Sequence, residues 1–359
     1  MNNTLIPASL EELVAGVRSI PRVIPVGRRT KPRMSQVEAT RIEMTRLSGI
    51  VEYNPSEFTI TALAGTSLQE VVQTLAAQGQ YLPFWPVLVE SGATLGGTIA
   101  SGLNGPGRFR FGGLRDFILA VQLVDGAGRV LRMGGKVVKN AAGFDLPRFL
   151  VGSLGRFAIL TEATFKVFPL TESSLTIQLE PATLPETIQI LIKAGNSRWE
   201  LEALDVLPGD RSILMRLGGP SSAIPALAEE ILSLWKGCCL PEKQAATCWS
   251  ELQEFRWSMP DQVLVKVPLA IGQVLEFCQS LERIPGSQAH LSGGGNLAYV
   301  SLPLAGFLQL DSALQSQKLS GVTLRGQAPL WAGTQTSFKI ASAVKTALDA
   351  ETRFPGLNE

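Results

Sequence analysis

Apolar positions along this chain recur with two different periods, and the switches between them outline the elements. Ser9-Leu-Glu-Glu12 sets a capping serine three residues before a glutamate and ahead of Leu13, Val14 and Val17. That pattern predicts a helix leading into a strand over 22–26. Short two-residue alternation predicts strands over 50–54 and 59–63, whereas Leu68, Val71, Val72 and Leu75 share one face of a helix over 67–78. Tyr81-Leu-Pro-Phe-Trp-Pro86 is cut by prolines and fits neither a regular helix nor a central strand. Strands over 117–123 and 129–132 flank the turn Asp125-Gly-Ala-Gly128 as a hairpin, and 158–167 alternates as a further strand. After Pro169 the pattern changes. A strand at 203–207, the turn Pro208-Gly209-Asp210, a strand at 213–217 and a helix at 222–235 make one unit. A strand at 262–267, a helix at 271–281 and strands at 287–291 and 297–302 make another. Mixed strands and helices predict an α+β protein.

Glycine changes the picture between these halves. Of the 35 glycines, 15 fall from Gly92 to Gly155, among apolar runs too brief for helices. Glycine permits close backbone approach and positive φ, and its amide serves anionic oxygens, so this stretch suits a phosphate-bearing cofactor. A β-rich domain with many tight turns would show the same enrichment. At 359 residues the length suits two domains, and 45% apolar with 18% charged residues describes a globular chain with a weakly charged surface. A net charge of +1 and the lack of a basic run give no general attraction to nucleic acid. The four cysteines, at 238, 239, 248 and 278, lack CxxC spacing and are read as reduced core thiols. No leader-like start and no apolar run of about 18 residues occurs, so the chain is expected in the cytoplasm, reaching a membrane's inner face only through partners.

The order of the glycine-rich pieces carries a resemblance. Ala93-Thr-Leu-Gly-Gly-Thr-Ile-Ala-Ser101, Phe111-Gly-Gly-Leu-Arg-Asp116, Lys139-Asn-Ala-Ala-Gly-Phe-Asp145 and Gly152-Ser-Leu-Gly155 follow one another as in the vanillyl-alcohol-oxidase, or PCMH-type FAD-binding, flavoprotein superfamily. Within it the chain resembles the family of FAD-binding subunits of bacterial glycolate oxidase, over roughly residues 20 to 170. The resemblance implies a PCMH-type FAD-binding domain at 1–170, a ferredoxin-like α+β cap at 171–335, and a segment 336–359 returning to the first domain. It implies that Gly92, Thr94, Gly96, Gly97 and Ser101 wrap the flavin and its pyrophosphate, and that Gly152, Ser153, Gly155 and Ile159 approach the isoalloxazine. At Val26-Gly-Arg-Arg-Thr-Lys-Pro32 the family usually carries G-G-G-[ST]-K around the pyrophosphate. Here Gly27, Thr30 and Lys31 remain and two glycines are replaced by Arg28 and Arg29, which either contact the anion or point to solvent. Lys139, Asn140, Gly143 and Asp145 lie in a loop that either meets the flavin or closes on itself through a Lys–Asp pair. Phe84 and Trp85 lead into the flavin segment or pack the domain's halves together.

The chemistry that is missing is equally specific. No histidine precedes His290 and no cysteine precedes Cys238, so neither side chain can bond the flavin covalently in the first domain, and FAD is expected to be non-covalent. Relatives that oxidise 2-hydroxy acids carry H-x-G-D-G-N-L-H in the cap, where this chain has His290-Leu-Ser-Gly-Gly-Gly-Asn-Leu-Ala298. One imidazole cannot build a multi-histidine metal site, so no metal is expected and His290 is read as structural rather than as a base. Arg115, Arg211 and Arg325 are candidates for a substrate carboxylate, nothing selects among them, and no catalytic residue is assigned. In the tail, Lys345 to Gly356 resembles the family's terminal segment, with Ala350 where the family has proline and Phe354 where it has asparagine. The reading implied is an electron-relaying FAD subunit of a glycolate oxidase or dehydrogenase complex, partnered by a catalytic flavin subunit and an iron–sulfur subunit. A stand-alone FAD oxidoreductase and a flavin-less scaffold are the alternatives.

Overall fold

The computed structural model describes residues 4–135, 144–335 and 339–359. The chain divides into two compact units, one of residues 1–104, 113–170 and 337–359, the other of 105–112 and 171–336.

In the first unit the helix Leu10–Ser19 starts at Ser9, whose Oγ accepts the Glu12 N–H at 3.2 Å, while the Glu12 carboxylate accepts from Ala8 N at 2.7 Å. Its buried face, Leu13 and Val17, packs with Val23, Ile42 and Ile159. Strands β1 (Thr4–Leu5), β2 (Val23–Val26) and β3 (Thr40–Glu43) pair in parallel in the order β1-β3-β2. Next come β4 (Ile50–Asn54), β5 (Thr59–Leu63), β6 (Gln80–Tyr81), β7 (Ile118–Val124), β8 (Val130–Gly134), β9 (Ile159–Lys166) and β10 (Phe168–Pro169). Five of them form an antiparallel sheet in the order β4-β5-β9-β7-β8, and β6 pairs with β10. The hairpin β7–β8 turns on Asp125, whose carboxylate accepts from Ala127 N and Arg129 N at 3.0 and 2.8 Å. Phe84 of the proline-broken run is fully buried, its ring 6.4 Å from Phe117 and 6.0 Å from Phe165, which is packing inside this unit. The tail returns to the unit: Phe354 is buried beside Leu13 and Ile159, and Val23 N donates to Arg353 O at 2.8 Å.

One expectation fails here. The sequence pattern predicts no helix in the glycine-rich stretch, yet Leu95–Ser101 is helical. Two glycines lower its intrinsic propensity by about 1 kcal/mol each, and a helix this short is not stable alone. Tertiary bonds hold it instead. Leu95 N donates to Thr66 O at 2.9 Å and Gly96 N to Ala64 O at 2.8 Å, so the first turn hangs from the end of β5; Thr94 caps it and Gly102, at φ +59°, closes it.

The second unit holds β11 (Ser173–Leu179), β12 (Ala203–Val206), β13 (Ile213–Gly219), β14 (Gly237–Cys239), β15 (Val263–Pro268), β16 (Gln288–Ser292), β17 (Leu297–Leu302), β18 (Ser320–Arg325) and β19 (Trp331–Gly333). They form one nine-stranded sheet, β14-β11-β13-β12-β16-β17-β15-β18-β19. The helices Leu184–Gly195 and Ile224–Leu234 connect the first four strands, and Val274–Glu282 and Phe307–Ser316 connect the next four. Each half is therefore a βαββαβ unit with the ferredoxin-like strand order, and the halves join edge to edge where Val206 pairs with Leu291. Ile188 and Leu191, Ile231, Phe277 and Leu310 of the four helices bury against Ile177, Met215, Val265 and Val300 of the sheet. Residues 105–112 join this unit through Arg110, whose guanidinium meets the Glu200 carboxylate at 2.9 Å; nothing in the sequence pattern announces that excursion. The expectation of core thiols also fails. Cys238 and Cys239 are exposed on β14, an edge strand, and Cys248 and Cys278 are half-buried.

Candidate cofactor site

The end of β2 opens into the turn Gly27–Lys31, and this turn, the helix Leu95–Ser101 and the loop before β9 border an open cleft in the first unit. Gly27, Arg28, Arg29, Thr30 and Lys31 line it from one side, Thr94, Gly97 and Ser101 from another, and Leu154 and Gly155 from a third. Gly96 and Ser153 line a smaller recess that shares Gly27, Thr94, Gly97 and Gly155. The walls are fixed to one another by main chain, since Gly152 N donates to Ile99 O and Leu154 N to Ala100 O, both at 2.9 Å. Gly27 approaches the helix so closely that a methyl group there would sit 2.2 Å from Thr94 Oγ1. Behind the turn, Gly92 leaves room for the Arg28 stem, 3.3 Å from where a methyl group would stand.

The turn's electrostatics are one-sided. Arg28, Arg29 and Lys31 line the cleft, and no carboxylate does. Among the described residues the backbone N–H groups of Arg28, Arg29, Thr30 and Lys31 have no protein acceptor, and Arg28 and Arg29 are exposed. Arg29 holds φ +55°, the left-handed conformation that a glycine would take without strain. The arginine keeps the backbone path of a glycine turn at a cost of about 1 kcal/mol.

Other sequence candidates lie elsewhere. Asp145 is on an exposed helix start, where it accepts from Arg148 N at 3.1 Å, and it does not line the cleft. Ile159 is fully buried in the core with Leu13 and Val17. Gly152 pins the loop from behind, through its amide. Lys139, Asn140 and Gly143 lie outside the described residues. In the second unit, His290 is 2% exposed with Nε2 2.7 Å from Asp205 Oδ2, and Asp205 Oδ1 accepts from Gly293 N at 2.9 Å. Its ring stacks on Tyr299 at 5.8 Å. Arg211 pairs with Glu282, and Arg325 donates to the carbonyls of Ser258 and Met259. The sequence does not single out Lys31 as a ligand, although it keeps the lysine position of the G-G-G-[ST]-K pattern.

Residues 2–134 match the family model described as FAD binding domain. All of this match except residues 105–112 falls in the first unit. The fold of the chain is similar to that of alkyldihydroxyacetonephosphate synthase, at a TM-score of 0.71 and 17% identity over 97% of this chain and 76% of that one. Glycolate oxidase subunit GlcE of Escherichia coli (strain K12) is 38% identical over 209 residues, 57% of this chain and 56% of that protein. A D-lactate dehydrogenase of Anaerostipes hadrus is 30% identical over 188 residues, 50% of this chain and 39% of its own length. The match thus spans about half, or less, of these relatives.

The cleft fits the group that the family binds. Its four unpaired amides and three cations suit a pyrophosphate, and a side chain at Gly97 would meet only Thr94 Oγ1, at 3.0 Å, before filling the space a ligand needs.

Proposed function

We propose that this chain is the FAD-binding subunit of a glycolate oxidase-type complex that oxidises a 2-hydroxy acid, and that it relays electrons instead of oxidising substrate alone. The observation that carries this reading is the turn Gly27–Lys31, which lines the cleft with three cationic residues and whose last four amides have no protein acceptor among the described residues. Gly27, the Thr94-capped helix and the Gly152–Gly155 loop position the cofactor, which is held without a covalent bond. Bound FAD supplies a two-electron acceptor that can release electrons one at a time.

What the chain's own residues do is bind and orient. Removing a hydride from a 2-hydroxy acid requires a base near the hydroxyl and a free cation for the carboxylate. His290 is committed to Asp205 and shielded from solvent, Arg211 is committed to Glu282, and Arg325 to main-chain carbonyls. Arg115 is exposed and has no such partner among the described residues. The three occupied side chains favour a partner that brings the catalytic set, in keeping with the subunit name of the Escherichia coli relative. The partners proposed are a catalytic flavin subunit and an iron–sulfur subunit, in the cytoplasm or at the inner face of the membrane through the complex. Among the described residues no helix is long and apolar enough to cross a membrane.

The test is glycolate-dependent dye reduction by the purified chain, set against the same chain co-expressed with candidate partner subunits. Negligible turnover alone and turnover in the complex are expected. Robust turnover by the chain alone would overturn the relay and leave a stand-alone FAD oxidoreductase; a protein purified without flavin bands and unable to take up FAD would leave a scaffold.

A further inference from the structure

Lys31 is a nearly buried cation of the first unit. Its side chain is 9% exposed, and among the described residues its ammonium has no hydrogen bond and no ion pair. It lines the cleft beside Arg28 and Arg29. A buried cation without an anion is costly unless a ligand completes the pair, and an unpaired lysine lining a cleft beside free backbone donors marks where that ligand's charge belongs.

We propose that Lys31 forms a direct ion pair with the cofactor's pyrophosphate. This rests on the FAD reading above and extends it to the pH dependence of binding. No carboxylate lines the cleft that Lys31 shares with Arg28 and Arg29. The helix Leu95–Ser101 brings only hydroxyls to it, those of its cap Thr94 and of Ser101. Burial pushes the Lys31 ammonium down from its ordinary value to about 8, and no carboxylate offsets that.

The linkage has a definite sign. An ammonium that gains a pyrophosphate is harder to deprotonate, so the bound form has the higher pKa. Below about 8 Lys31 is already charged and affinity is at its full value. Above it, FAD binding must take up a proton, and affinity falls by up to about tenfold per pH unit until the bound-state pKa is reached.

The experiment is a titration of the flavin-stripped full chain with FAD, followed by quenching of flavin fluorescence, at pH values on both sides of about 8. Wild type should lose affinity as pH rises through this range. Lys31→Met should bind about tenfold or more weakly at neutral pH and show no slope there, because a charge-assisted contact is removed. Lys31→Arg should keep the affinity and lose the slope, since a guanidinium does not titrate in that range. The Lys31→Met chain should be at least as stable as wild type without cofactor, because it buries no unpaired charge, and this separates lost contact from lost fold. Riboflavin, which has no phosphate, should compete equally with all three. If Lys31→Met binds FAD as tightly as wild type with the same pH slope, the ion pair is wrong while the FAD reading stands; if wild type binds no FAD at any pH, the FAD reading itself falls.

Discussion

Gly97 and His290 show how differently single residues bear on this protein. Gly97 lines the cleft, and a methyl group there would meet one protein atom, the capping Thr94 Oγ1 at 3.0 Å, so a branched side chain extends into the space a ligand needs. Gly97→Val is expected to lower flavin occupancy by on the order of tenfold or more, read as the ratio of flavin to protein absorbance, from the roughly 1–3 kcal/mol that overpacking costs. His290→Ala should leave that ratio unchanged. Its cost falls on the second unit, where Asp205 loses a buried partner, and stability should drop by about 1–3 kcal/mol. Equal occupancy in wild type and Gly97→Val would remove the cleft as the flavin site. The sequence pointed to Gly97 through its place in T-x-G-G and to His290 through its solitude. It said nothing of Lys31's isolation, because whether a cation has a partner depends on which other segments fold around it.

At the scale of elements, two short pieces of chain are held by contacts from afar. The helix Leu95–Ser101 depends on Thr94, whose Oγ1 accepts the Gly97 N–H at 3.3 Å. Thr94→Ala should cost about 1 kcal/mol and loosen the cleft wall. Arg156, 1% exposed, ties three segments together: Nη1 donates to Met34 O at 2.8 Å and Leu154 O at 2.5 Å, and Nη2 to Glu359 O at 2.5 Å. Burial lowers this guanidinium to about 10, so it stays charged at neutral pH. Arg156→Met is expected to destabilise the first unit by on the order of 3 kcal/mol, since it strands buried carbonyls, and a urea midpoint equal to wild type would contradict that role. Neither dependence is visible in local pattern: propensity argued against the helix, and Arg156 reads as one more charged residue after a glycine loop.

For the whole molecule, the decisive fact is an omission spread over the chain. With no histidine before 290 and no cysteine before 238, neither side chain is present in the first 170 residues to bond a flavin covalently. Acid precipitation should therefore release the yellow colour into the supernatant, and flavin retained in the pellet as a protease-resistant flavopeptide would refute non-covalent binding. The second unit repeats one βαββαβ plan twice, and it spends its lone histidine on packing and a buried pair rather than on an open site.

The sequence by itself determined the α+β class, the hairpin at Asp125, the capped first helix and the order of glycine motifs that resembles an FAD binding fold. These are local or ordered properties, set by side-chain period, turn chemistry and spacing. Tertiary structure alone decided the rest. It turned a glycine-rich run into a helix by hanging its first amides from Thr66 and Ala64, and it carried residues 105–112 into the second unit. It placed Ile159 in the core and Asp145 away from the cleft, and it left Lys31 nearly buried in a cleft that no acid lines. Each of these turns on the free energy of contacts between segments far apart in the chain, which no window of sequence contains.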